Sequence, residues 1–304
     1  MSGARMMTIG SANIDLIAYA ARLPGKGETF VGRRFEVRAG GKGANQAVRV
    51  ALSGGYSYFV GRIGSDLFAP VMMDFFSRAG VDTTYLIHQE GSTGIGHTTV
   101  EESGDYAATI IPAANQCVVE GDVDRVRNVM RECDGLILQL EIPVKTVIHA
   151  VRTAKAVQLP VFLNAAPSND LPKELGGLID VMIVNEVEAQ MITGRSISHI
   201  PDDAIKAAHV LQSYAPRVVV TLGKRGVAAV DSNNATAYVP GHNVQARSAL
   251  GAGDAFIGEL AVRLVEGESF LDVVKRANAV AALVISSDEG VMTVAKKSVV
   301  DGMA

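Results

Sequence analysis

The chain of 304 residues has no tryptophan, two cysteines and only 5% aromatic residues. Cys117 and Cys133 have neither zinc-type spacing nor the density of a disulfide framework, so reduced structural thiols are expected. His88, His97, His149, His199, His209 and His242 show no metal-type pairing either, and surface or structural roles are expected for them. No window reaches the ~18 continuous apolar residues of a spanning helix. The N-terminus has a single arginine, Arg5, and a short apolar run, so neither export nor membrane insertion is expected. A net charge of −4 leaves no basic footprint for nucleic acid or an anionic membrane. Also missing are G-x-x-x-x-G-K-[ST], a G-x-G-x-x-G fingerprint after a strand, and the G-x-S-x-G elbow. These absences set aside the P-loop, Rossmann dinucleotide and α/β-hydrolase sites. Low-complexity segments, charge runs and internal repeats are absent as well.

What is there is an ordinary globular composition, 48% hydrophobic and 20% charged, with material for a large core. Short apolar runs at 6–9, 135–140, 161–164, 181–184 and 218–222 read as buried parallel strands, with helices expected at 44–52, 67–79, 123–131 and 144–156. Further strands are expected at 56–63, 226–230 and 236–239, and two final helices at 254–265 and 271–286. The pattern predicts an α/β protein, a three-layer α/β/α sandwich on a mostly parallel sheet. Strand-only stretches at 29–37, 85–88, 95–100 and 106–111 interrupt the alternation. Segments 13–38 and 92–112 are expected to pair into a small β-sheet lid, leaving 1–12, 39–91 and 113–304 as the main domain.

Gly251-Ala252-Gly253-Asp254 carries the strongest chemical signal. Two small flexible residues around an alanine open a helix, where backbone N–H groups and the helix dipole favour an anion. Asp254 then stands beside that anion, as a base beside a phosphate would. The same four residues also satisfy a plain helix N-terminus with an acidic first turn. Polar residues recur where strands end, the ligand edge of an open α/β sheet. They are Asn13 and Asp15, Gln139 and Glu141, Asn185 and Glu188, and Thr221 and Gly223. Carboxylates with amides and Lys42 suit a polyhydroxylated ligand, because acceptors take hydroxyl protons and donors meet ring and hydroxyl oxygens.

Two stretches, Gly40-Gly41-Lys42-Gly43-Ala44-Asn45-Gln46-Ala47 and Gly251-Ala252-Gly253-Asp254-Ala255-Phe256, resemble the two signatures of the ribokinase-like (PfkB-type) family of carbohydrate and nucleoside kinases. Gln139-Leu140-Glu141-Ile142-Pro143, Asn185-Glu186-Val187-Glu188 and Thr221-Leu222-Gly223-Lys224-Arg225-Gly226 follow in the family's order, and the resemblance covers about residues 8–290. It implies an ATP-dependent sugar kinase acting on the primary hydroxyl of a pentose, ribose foremost. In that reading Asp254 is the catalytic base and Gly251, Ala252 and Gly253 form the anion hole. Asn13, Asp15, Gly41, Lys42, Asn45 and Glu141 hold the sugar. Asn185 and Glu188 help hold phosphate and Mg2+, the metal through water on Glu188, and Thr221, Gly223, Gly226 and Asn278 line the nucleotide. The lid closes over the sugar and forms a homodimer contact, and the location is cytoplasmic.

Alternatives remain: a same-fold kinase for another sugar or a nucleoside, and a sugar-binding pseudokinase. One departure from the family pattern is Ser248-Ala249-Leu250, where members commonly carry Asp-Thr-Thr, a segment that helps bind a monovalent cation in many relatives. A cation site at Ser248 is therefore doubtful and little potassium activation is expected. Arg247 is expected either to bond the loop carbonyls in the cation's place or to lie solvated at the surface.

Overall fold

A computed structural model describes residues 3–102, 105–168, 171–247 and 251–303. Its main sheet has nine strands in the order β13-β12-β11-β10-β9-β8-β1-β4-β5. They are β1 (Arg5–Ile9), β4 (Tyr56–Gly64), β5 (Asp82–Gln89), β8 (Gly135–Gln139), β9 (Val161–Asn164), β10 (Val181–Asn185), β11 (Arg217–Thr221), β12 (Val227–Val230) and β13 (Thr236–Val239). All pairings are parallel except those of β12 with β11 and with β13.

Successive side chains of a strand point to opposite faces, and here both faces are apolar. Met7, Ile9, Leu136, Leu138, Met182, Val184, Val218 and Val220 enter one core cluster. Against them pack α3 (Glu120–Met130), α4 (Val144–Ala156), α5 (Glu186–Thr193) and α6 (Asp202–Leu211). Met6, Ile137, Val181, Ile183 and Val219 turn the other way, toward α1 (Lys42–Leu52), α7 (Ala252–Val265) and α8 (Phe270–Ser286). On that face α2 (Ala69–Ala79) packs with α1 over β4, and a short α9 (Lys297–Asp301) leans on α8. These are the three expected layers.

A second sheet of four strands has the order β3-β2-β6-β7, built from β2 (Asn13–Ala20), β3 (Arg34–Gly40), β6 (Gly94–Glu101) and β7 (Tyr106–Ile111). Its centre is the parallel pair β2–β6, which starts at Asn13 opposite Gly94. β3 runs on to Gly40, past the expected boundary at 38, and the strand expected at 29–37 begins only at Arg34. The strand expected at 85–88 is β5, an edge of the main sheet.

Helices α5, α6 and α9 were not anticipated. The first is short and capped by the Asn185 side chain, whose Oδ1 accepts from Glu188 N–H at 2.8 Å. Glu188 Oε2 accepts in return from Asn185 N–H at 2.7 Å, a capping box. α6 buries a stripe of small residues, Ala204, Ala207, Ala208 and Leu211, which gives a weak periodic signal, and it opens with Asp202 and Asp203.

Candidate active site

The parallel strands deliver their carboxyl ends to one edge in the spatial order β1, β8, β9, β10, β11. Gln139 ends β8 and stands in register with Asn164, which ends β9. Asn185 ends β10 and stands in register with Thr221, which ends β11. The polar strand-end residues thus form one continuous rim.

Over the β1–β9 part of this rim, α1 and α7 pack side by side with their N-termini together. Gly41 caps α1 at φ 89°, a conformation that favours glycine, and a Cβ there would lie 2.7 Å from Asn13 N. Gly251 caps α7 at φ 81°. The first bond of that helix runs from Ala255 N–H to Gly251 O at 2.8 Å, so the N–H groups of Ala252, Gly253 and Asp254 have no helical acceptor. Gly253 is exposed, and a Cβ on it would meet nothing within 4 Å. Among the described residues the space beside Gly253 is open, as an anion site requires.

Asp254 is buried, with 9% of its surface exposed. Its Oδ2 accepts from Asn45 Nδ2 and its Oδ1 from Gln46 Nε2, both at 2.9 Å. Burial pushes its pKa up, while the Lys42 charge and the two amide bonds pull it down and Glu141 adds repulsion. Asp15, at the start of β2, is raised to about 6 by burial first, then by Glu141 and Asp254, against the relief of Arg38. Glu141 Oε2 accepts from Ser11 Oγ at 2.5 Å and from Lys42 N–H at 3.2 Å. Asn13 Oδ1 accepts from Asn115 Nδ2 at 2.6 Å. A cavity of about 360 Å³ opens here, lined by Asp15, Gly40, Asn45 and Gly251 and walled by α2 and residues 288–292.

The β10–β11 part of the rim gathers the other candidates. Gly226, at φ 102°, would place a Cβ 2.0 Å from Val239 O and 2.6 Å from Gly241 N. Asn278 Nδ2 on α8 donates to Pro240 O at 3.0 Å in the same loop. Gly223 opens the 3₁₀ turn between Thr221 and Gly226. Glu188 links the two halves: burial raises its pKa, Lys42 lowers it and Asp254 raises it. Among the described residues no group of three His, Cys, Asp or Glu could hold a metal ion.

Ser248, Ala249 and Leu250 lie outside the described residues. Arg247 is exposed, and its Nη1 donates to Asp288 Oδ2 at the surface. Sequence reasoning did not single out Ser11, Gln46, Asn115 or Asn164. Gln46 stood inside the quoted glycine-lysine motif, whereas Asn115, in a 3₁₀ turn after β7, carried no signal at all.

Comparison with known proteins accords with this geometry. Residues 4–295 match the model of the pfkB family carbohydrate kinases. The chain is 34% identical over 284 residues to the ribokinase of Haemophilus influenzae, covering 92% of each chain. It is 30% identical over 280 residues to the deoxyribokinase of Salmonella typhi, covering 91% of each. Among solved structures it is similar to Arabidopsis thaliana ribokinase complexed with ribose and ATP, at TM-score 0.90 and 28% identity, covering 100% of this chain and 99% of that one.

Proposed function

Because the chain belongs to the pfkB family of carbohydrate kinases, we propose that it transfers the γ-phosphate of ATP to the primary hydroxyl of a pentose, ribose foremost. The observation that carries the reading is Asp254, a buried carboxylate held by Asn45 and Gln46 in the first turn of α7, beside the N–H groups that open that helix. Phosphoryl transfer asks little covalent chemistry of a protein; it asks for alignment, charge neutralisation and a base at the attacking oxygen.

In this reading the sugar lies in the cavity beside Asp15, with Asn13, Gly41, Lys42, Asn45 and Glu141 fixing its hydroxyls. Asp254 takes the proton of the attacking hydroxyl. The amides of Gly251, Ala252 and Gly253 receive the transferring phosphoryl oxygens, and Lys42 offsets their charge. Thr221, Gly223, Gly226 and Asn278 line the nucleotide. Asn185 and Glu188 would hold Mg2+ and phosphate, and the ion when bound supplies charge neutralisation at the phosphates. Bound ribose and ATP in the Arabidopsis relative support both ligands.

The four-stranded sheet is assigned as a lid that excludes competing water. The exposure of Phe35 (61%) and Val37 (41%) on one face of β3 supports a lid-to-lid homodimer. Among the described residues no helix is long and apolar enough to cross a membrane, and a cytoplasmic location is part of the same proposal.

The test is ADP release measured over ribose, 2-deoxyribose, other pentoses, hexoses and nucleosides. Ribose should give the highest kcat/KM, and Asp254→Asn should abolish turnover while sugar binding stays measurable by calorimetry. Wild-type kcat in that variant would remove Asp254 as the base. ADP release from no sugar, with sugar binding intact, would favour a pseudokinase. Replacing potassium by sodium in the same assay should change the rate little, and a large saturable potassium activation would contradict the expectation drawn from Ser248.

A further inference from the structure

We propose that Gln46, backed by Gln139 and Asn164, is a positioning residue that holds Asp254 ionised and oriented through a directional chain of side-chain amides. The proposal rests on the reading of Asp254 as the base. Gln46, Gln139 and Asn164 are all buried, and Gln46 and Gln139 are 0% exposed. Gln46 Nε2 donates to Asp254 Oδ1 at 2.9 Å and to Asn164 Oδ1 at 3.2 Å. Its Oε1 accepts from Gln139 Nε2 at 2.6 Å. Asn164 is itself held by Nδ2 donating to Ile183 O at 3.3 Å. The chain begins at the end of β8, crosses to α1 and finishes on α7.

Its direction is fixed by donor and acceptor chemistry. An ionised carboxylate only accepts, so Gln46 must turn its NH2 toward Asp254. Its oxygen then faces Gln139, which must answer with its own NH2. The far end of the chain is therefore an oxygen, and Gln139 Oε1 is buried with no donor among the described residues. It points at Gly10, where a Cβ would lie 1.9 Å away, so the chain leaves no room for a side chain at that position. A buried acceptor without a donor is costly. Reversing the chain would cost more, because Gln46 Oε1 would then confront the Asp254 carboxylate.

The same logic couples the chain to protonation. Once Asp254 carries a proton it becomes a donor, and the amides lose the constraint that orders them. The ordered chain thus favours the ionised carboxylate. Lys42 on α1 works in the same sense, while Glu141 after β8, Glu188 on α5 and Asp15 on β2 all oppose it. Asn45 also donates to Asp254, but it lines the cavity and is a sugar ligand in the proposed complex. Gln46 is the donor that remains when the sugar engages Asn45.

Two kinds of experiment test this. In the folded wild-type protein, side-chain amide NMR resonances of Gln46 and Gln139 should titrate with one midpoint, shared with the Asp254 carboxyl carbon. A Gln139 resonance that stays flat through the Asp254 midpoint overturns the proposal, with no dependence on activity or on a variant. Gln46→Met should shift the acid limb of the kcat pH profile upward by about one unit, a roughly tenfold loss of rate on that limb. KM for the sugar should stay within about twofold. Gln139→Leu, one residue removed from Asp254, should shift the limb the same way by less. An unmoved acid limb in folded Gln46→Met, or a change confined to KM, overturns it. Shared titration without kinase activity on any sugar would leave the chain standing and sink the kinase reading; activity with independent titrations would do the reverse.

Discussion

Asp15 is the residue at which stability and function pull apart. Its carboxyl is raised from 3.8 to about 6 by burial and by two neighbouring carboxylates. Between those values the folded protein keeps a proton that the unfolded chain has released, so this group's contribution to stability is full below 3.8 and is lost as pH rises through 6. At neutral pH the ionised carboxylate is therefore the less stable form in the fold, while being the form that accepts hydroxyl hydrogen bonds in the proposed sugar complex. Asp15→Asn should raise Tm at pH 7–8 and leave it nearly unchanged at pH 4. The same variant should raise KM for ribose, and wild-type KM should climb as pH falls below about 6. A melting-temperature series over pH for both proteins checks the first effect, and equal Tm differences at pH 4 and pH 8 would contradict the assigned cause.

Among the elements, α1, α7 and α8 are tied together behind the site by a buried ionic cluster. Arg49 on α1, 1% exposed, donates from Nε to Ser53 Oγ at 3.1 Å and from Nη1 to Thr293 O at 2.8 Å. Glu259 on α7 accepts from Arg263 Nε at 2.9 Å and Arg276 Nε at 2.7 Å, and lies 3.8 Å from Arg49 Nη2. Burial pushes the Glu259 pKa up, but the Ser53 bond and the guanidinium groups outweigh it and bring it below the usual carboxylate range. Arg263 and Arg276 have second carboxylates in Glu266 and Asp301, whereas Glu259 is the carboxylate near Arg49 among the described residues. Glu259→Gln should cost about 3–5 kcal/mol, because it leaves buried Arg49 without its counter-charge. Replacing Arg49 and Glu259 together by leucine should cost much less, and urea melts of both variants check the difference.

This cluster also marks where sequence reading stopped. Apolar runs along β8, β10 and β11 announced buried parallel strands, and small residues before Asp254 announced a helix N-terminus, because both signals are local. Arg49 and Glu259 carried no such signal, and Gln46, though inside a quoted motif, showed nothing of its role, which lies in a contact more than 200 residues away, with Asp254. The Asn185 and Glu188 pair was legible as polar strand-end chemistry, yet its visible work is capping α5, a helix hidden by being short. Asp254, Asn45 and Lys42 were found because their motifs are contiguous. Asn115, which holds Asn13 from across the chain, was not.

For the whole molecule, the four-stranded sheet has one face split between two environments. Ile14, with Ala39 and Ile95 opposite it in register, packs on the α1–α2 side of the core. Farther along the same face, Phe35 and Val37 stand in solvent. Placing charge there should leave the monomer fold intact while preventing the proposed lid-to-lid contact. Phe35→Lys with Val37→Lys should convert a sedimentation mass near twice 31.9 kDa to the single-chain value. A wild-type mass already at the single-chain value would dispose of the dimer, whatever the activity.

The order of strands in that sheet also sets a problem for synthesis on the ribosome. β2 and β3 lie in the first 40 residues, but the partner that β2 requires, β6, begins at Gly94, and β7 ends at Ile111. At roughly 5–20 residues per second, the early hairpin waits about 4–14 s between emergence of Gly40 and of Ile111. Throughout that interval β2 offers an unsatisfied edge, with Ile14 and Ile17 uncovered, to any other nascent chain nearby. The sheet proposed to guard the sugar is thus the part of the newborn chain most in need of a guard of its own, and holdase chaperones should crosslink to residues 13–40 until residue 111 has left the tunnel.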